Sequence, residues 1–226
     1  MRVMDHIRTG LVAAAALGIM AAPGSAQELS QVCGEIADVG HGDWAEFTME
    51  GPQAAQVSGV RFALIDRGDP SELWFELKAE TVQGEQVVQL QVPGFPFKGD
   101  QVTAGIVQAM QMPPMKMPDQ MLSMMQQQMQ SNPMLDVAEQ CLAATLVGEE
   151  TVETPAGSMT AWHIKAADGN DAWVSGDVPF GIIKGSGGEG AGGGTMLLTG
   201  YGSDATSSIT GEPQDMPAMP GMAPQD

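Results

Sequence analysis

From Trp44 onward the chain obeys a period of two. Ala45, Phe47 and Met49 alternate with Glu46, Thr48 and Glu50, and Val60, Phe62 and Leu64 continue the rule. Leu73, Phe75, Leu77 and Ala79 then face one way while Glu72, Glu76, Lys78 and Glu80 face the other; Val88, Leu90 and Val92 form a fourth run closed by Pro93-Gly94. Strict alternation places one side of each segment in a core and the other in water, the signature of a meander of half-buried antiparallel strands. The pattern returns over Glu150 to Thr154, Ser158 to Ala166, Ala172 to Ser175, Val178 to Lys184 and Thr195 to Tyr201, with Pro155-Ala156-Gly157 and Asp168-Gly169-Asn170 as turns and Gly185 to Gly194 as a glycine-rich hairpin loop.

Helical spacing interrupts this pattern twice. Leu29, Val32, Cys33 and Ile36 fall on one helical face with Gly40 as a stop. Between 100 and 145 lies a methionine-rich insertion with three expected helices. The first runs from an Asp100 cap through Val102, Ile106 and Met110 to the Pro113-Pro114 break. The second spans Asp119 to Gln130, with Met121, Met125 and Met129 at steps of four. The third runs from Met134 to about Thr145, with Leu135, Ala138, Cys141 and Leu142 on one face. The expected fold is therefore α+β: one curved antiparallel sheet of eight or nine strands, with the Met-rich helical insertion covering one face. Residues 27–203 form the single domain, and 204–226, rich in Ser, Thr, Gly, Pro and Met without any period, read as a disordered tail.

The first 26 residues read as a secretory signal peptide. Arg2 and Arg8 precede an apolar run from Leu11 to Ala22, and Pro23-Gly24-Ser25-Ala26 supplies small residues for cleavage near Ala26. That run is too short for a membrane span, which needs about 20 residues, so no integral membrane segment is expected and the protein belongs in the periplasm or outside the cell. Export makes the two cysteines, Cys33 and Cys141, a candidate disulfide, with paired free thiols as the alternative. With 28 acidic against 9 basic residues and a net charge of -19, the chain repels phosphate backbones and anionic headgroups, so nucleic acid is excluded as a partner.

Several segments resemble a set of exported bacterial proteins of undefined function. These are Glu150-Thr151-Val152-Glu153-Thr154-Pro155-Ala156-Gly157, Ala161-Trp162-His163-Ile164-Lys165, Trp173-Val174-Ser175 with Asp177-Val178-Pro179-Phe180-Gly181-Ile182-Ile183-Lys184, and Leu198-Thr199-Gly200-Tyr201-Gly202. They match the E-T-V-x-T-P-A-G and W-x-S-x-x-V-P-x-G-x-x-K patterns of that set, and Trp44-Ala45-Glu46-Phe47 and Leu73-Trp74-Phe75-Glu76 are similar to its N-terminal half. In element order these proteins in turn resemble periplasmic lipoprotein carriers and receptors of the LolA and LolB type. That resemblance implies an open half-barrel whose concave face, covered by helices, holds acyl chains.

Catalytic signatures are weak. His41 sits in a Gly40-His41-Gly42-Asp43 loop, and His163 shares a strand face with Lys165; neither has metal-ligand spacing. Gly185-Ser186-Gly187 lacks the strand-turn-helix setting of a nucleophile elbow, and the acids Glu72, Glu76, Glu149 and Glu150 read as solvated strand faces. No enzymatic activity and no cofactor are expected.

Methionine is the anomaly. Nine of eighteen lie between Met110 and Met134, and Met216, Met219 and Met222 recur every third residue. Three readings follow. Methionine fills an irregular core; or it lines an adaptable wall for a lipid or other apolar small molecule; or soft sulfur binds Cu(I) through Met110, Met112, Met115 and Met117. The second is taken as the function, with Phe75, Leu77, Leu90, Trp162 and Ile164 facing Met121, Leu122, Met125 and Met129 across a cavity. A copper-tolerance role and a structural role toward an envelope-assembly partner are the alternatives.

Overall fold

The computed structural model describes residues 30–34, 36, 38–110, 112–129, 137–167, 169–187 and 194–216. Twelve strands form one large curved, unclosed sheet. In chain order they are β1 (Trp44–Glu50), β2 (Val57–Ile65), β3 (Leu73–Thr81), β4 (Gly84–Val92), β5 (Ala104–Ala109), β6 (Met115–Lys116), β7 (Thr145–Thr154), β8 (Gly157–Lys165), β9 (Asp171–Val174), β10 (Ile182–Ser186), β11 (Thr195–Gly202) and β12 (Gln214–Asp215). Their spatial order is β12-β6-β5-β4-β3-β2-β1-β11-β10-β9-β8-β7. Every neighbouring pair is antiparallel except β12 with β6. Two meanders thus meet at the β1–β11 pair, where Phe47 opposes Leu198. Curvature brings the tip of the β7–β8 hairpin round to β11, where the Ala156 N–H donates to the Leu198 carbonyl at 3.3 Å.

The count exceeds the expected eight or nine strands through β5, β6 and β12. The predicted helix from Asp100 is instead a 3-10 turn, Gly99–Gln101, followed by β5. Of Val102, Ile106 and Met110 only Ile106 lies in the strand, and the three share no face: Val102 packs in the inner cluster, Ile106 in the outer one, and Met110 is exposed. A Cβ at Gly105 would lie 2.5 Å from the Met117 sulfur; the bare backbone there lets Met117 cross β5 into the core. The second predicted helix is present as α1 (Asp119–Met129), and the described part of the third is α2 (Val137–Ala143), with Thr145 already in β7 and its expected start at Met134 outside the described residues. The expected strand from Val178 starts only at Ile182, because Phe180 and Gly181 take left-handed φ values of 63° and 69°. Residues 30–34 are helical as expected. The predicted signal peptide, residues 130–136 and the glycine loop 188–193 lie outside the described residues.

On β2 to β5 alternation sends residues to two packed faces. The inner face carries Leu64, Phe75, Leu90 and, partly buried, Phe62, Leu77, Val88 and Val107. All six phenylalanines of the chain, Phe47, Phe62, Phe75, Phe95, Phe97 and Phe180, join there in one connected set of ring contacts, with centroids 4.9–6.4 Å apart. Edge-to-face and offset pairs of this kind add stability beyond the area they bury.

The outer face is covered by residues that read as tail. Ala205 and Ile209 pack on Ala63, Ile65, Trp74, Val87 and Ile106, so the disordered tail expected from 204 does not begin there; 217–226 lie outside the described residues. The fastening is polar. Glu76 and Gln89, opposed across β3 and β4, are buried. Gln89 Nε2 donates to Glu76 Oε2 at 2.6 Å and to Ser207 Oγ at 2.8 Å, and Ser208 donates to Glu76 through its N–H (2.9 Å) and hydroxyl (2.7 Å). Arg61 lies 3.8 Å from Glu76, and Arg67 donates to Gln89. A buried carboxylate persists only where its lone pairs are satisfied, and the strap 203–213 supplies two of the donors.

A second apolar cluster surrounds the Cys33–Cys141 disulfide. Its Cα atoms are 5.6 Å apart, and Val32, Ile36, Ile164 and Val174 pack about it with Trp162 and Ala172 at the margin. The bridge ties the N-terminal helical segment to α2.

Candidate functional site

Helix α1 starts beyond Pro118, whose carbonyl accepts from the Leu122 N–H at 3.0 Å. Its steps of three and four collect Met121, Leu122, Met125 and Met129 on one stripe. All four pack against the inner-face cluster, yet each is only half-buried, and no residue of α1 is fully buried. On the far side Met124 is 66% exposed. A hydrogen bond from Gln126 Nε2 to the Val102 carbonyl at 2.8 Å ties the helix to the body of the domain.

Of the nine residues expected to line a ligand site, seven meet in this cluster: Phe75, Leu77, Leu90, Met121, Leu122, Met125 and Met129. Trp162 and Ile164 do not; they belong to the disulfide cluster. The reason is a matter of face. On β8 Ala161 packs into the inner cluster while its neighbours point the other way. Sequence spacing missed Phe95, Phe97 and Phe180, which come from loops and have no period to betray them.

The four methionines of the copper alternative are also divided. Met117 is buried in the core, whereas Met110 and Met112 are exposed beside Gln83, Gly84 and Glu85 along an open groove of about 680 Å³. A smaller cavity of about 180 Å³ lies near the disulfide, lined in part by Val32, Glu149, Trp162 and Asp177. Neither of these two cavities is lined by α1.

A polar cluster occupies β7 to β10. The His163 ring stacks on Trp173, with centroids 4.4 Å apart and planes 14° apart. Its Nδ1 meets Glu150 Oε1 at 2.9 Å and its Nε2 meets Asp171 Oδ1 at 3.0 Å. Trp173 Nε1 donates to Glu150 Oε2 at 3.0 Å, and the Lys184 ammonium sits 4.2 Å above the Trp173 ring. Lys165 approaches Asp171 at 3.8 Å. Hydrogen bonds from Trp173 first and His163 second hold the Glu150 carboxyl below the usual carboxylate range. Both imidazole nitrogens are engaged by carboxylates, which orients the ring. Glu150, His163, Trp173 and Lys184 all stand in the segments quoted above for their resemblance, and that was the one signal pointing to this cluster.

Among the described residues no helix is long and apolar enough to cross a membrane. Comparison of the chain with profiles of known protein families and with curated protein sequences returns no match to either.

Proposed function

We propose that this is a non-catalytic protein of the bacterial periplasm that binds a lipid or other apolar small molecule between the inner face of its curved sheet and the Met-rich helix α1. The carrying observation is the state of α1. It lays four apolar side chains on an aromatic-rich face while fully burying none. A helix that is a permanent part of a core buries its stripe. Partial burial of Met121, Leu122, Met125 and Met129 forgoes the smaller part of the ~1.5–3 kcal/mol that each contributes when fully buried, and ordering entropy is set against the rest. The helix is thereby held less firmly than a fully buried element, and unbranched thioethers re-pack around chains of different shape. The disulfide and the charge of -19 fit an exported protein that does not dwell on anionic membranes.

Titration with palmitate of protein labelled at its methionine methyls tests this. Saturable shifts of the Met121, Met125 and Met129 methyls are expected. Replacing these three by Gln weakens palmitate by on the order of tenfold or more while the fold survives, since none is fully buried. Saturating palmitate that moves no α1 methyl ends the reading.

A further inference from the structure

The two edges of the sheet are finished differently. At one end β6 and β12 are two residues long, the short-edge device that prevents pairing with other chains. At the other end β7 runs for ten residues, paired along one side with β8 and, among the described residues, with no hydrogen-bonded strand on its other side, although it comes close to β10 and β11. It contains neither lysine nor proline, two of the guards of an exposed edge, and one irregularity, between Leu146 and Gly148, interrupts its register with β8. Thr145, Val147, Glu149, Glu150, Thr151 and Glu153 are exposed along it, Val147 at 55%, and Leu142 just before it at 56%. Apolar side chains and unpaired backbone groups in one place are what an added strand requires.

The charges say what that strand carries. Glu150 is committed to His163 and Trp173, but Glu149 and Glu153 make no ion pair among the described residues. Glu149 also lines the cavity of about 180 Å³ together with Thr160, Trp162, Ser175 and Asp177. Two carboxylates and an indole around one opening suit the ammonium or guanidinium of a long basic side chain. A second copy of this chain does not suit it. Antiparallel pairing of β7 with itself would set glutamates against glutamates, which destabilises a ladder, between two bodies of charge -19.

We propose that the free edge of β7 receives an extended segment of another protein in which apolar and basic residues alternate, one basic side chain entering the cavity between Glu149 and Asp177.

The probe is a synthetic octapeptide of alternating Lys and Val, followed through the backbone amides of the isotope-labelled full chain. Saturable shifts centred on 145–151 are expected. N-methylation of alternate peptide residues, which removes backbone donors but keeps the charge, should weaken binding on the order of tenfold, and a Glu-for-Lys peptide should not bind. The double variant Glu149→Lys/Glu153→Lys should lose affinity to a similar degree with its circular dichroism unchanged; if that variant fails to fold, the three peptides on the wild-type chain decide. Equal binding of the N-methylated peptide, equal binding of the acidic peptide, shifts that map away from β7, or no saturable shift would each overturn the proposal.

Discussion

Replacing Gly181 by alanine should destabilise the domain by about 2–5 kcal/mol, for two separable reasons. The backbone there has φ +69°, and an L residue in the left-handed region costs roughly 1–2 kcal/mol. The added Cβ would also lie 2.3 Å and 2.5 Å from the two γ carbons of Ile36 and 2.8 Å from its β carbon. Ile36 is 1% exposed among the residues around the disulfide, so it has nowhere to swing, and overpacking of this kind costs roughly 1–3 kcal/mol. The assay is urea unfolding followed by tryptophan fluorescence with the disulfide intact. With an m-value of about 2 kcal/mol/M, the midpoint should fall by roughly 1–2.5 M. Ile36→Ala in the same chain should recover the steric part and leave the backbone part, giving a coupling of about 1–3 kcal/mol. A loss below about 0.5 kcal/mol for Gly181→Ala, or strictly additive effects in the double variant, would refute the reasoning. The stake is the core, since this turn delivers Phe180 to within 4.9 Å of Phe95 and 6.1 Å of Phe75.

Removing the bridge with Cys33→Ser and Cys141→Ser frees a 108-residue loop and should cost about 4.8 kcal/mol by chain entropy; unfolding midpoints that agree between oxidised and reduced protein would contradict this. Glu76→Ala strands the donors of Gln89 and Ser208, so a loss of roughly 3–5 kcal/mol is expected, with faster amide exchange over 205–209; unchanged protection there would mean that other contacts hold the strap. Glu150 is held below its ordinary carboxylate range, so its contribution is complete at neutral pH and is lost as pH falls from about 4.3 through the lower folded value. Glu150→Gln should flatten that acid limb of the stability profile, and an acid limb identical to wild type would show that the Trp173 and His163 bonds do not carry it.

Much of this fold is legible in the sequence because antiparallel strands with one wet face write their period plainly. Nine of the strands, the turns at Pro155-Ala156 and around Gly169 and the helix at 119–129 follow from local pattern, and the Cys33–Cys141 pairing from export and a count of two cysteines. What escaped is whatever the local pattern leaves degenerate. The four-residue spacing of Val102, Ile106 and Met110 reads as one helix face although the first two pack on opposite faces of the sheet and the third is exposed, and the room at Gly105 for Met117 is a tertiary fact. The strap is poor in apolar residues and has no period; Ala205 and Ile209 are its only buried ones, and its hold on Glu76 is made by hydrogen bonds that composition does not reveal. The left-handed pair Phe180-Gly181 sits inside an apolar run that reads as strand. Trp162 and Ile164 were placed with the wrong cluster because alternation tells that two faces exist without telling which element covers each.

Native mass spectrometry of the protein, purified from the periplasm with no ligand added, tests the binding reading most directly. The expected spectrum shows the disulfide-bonded chain carrying a species of several hundred daltons that extracts into organic solvent, and that is lost when Met121, Met125 and Met129 are replaced by Gln. A bare chain two hydrogens short of the reduced mass, unchanged after exposure to a total lipid extract, would contradict it.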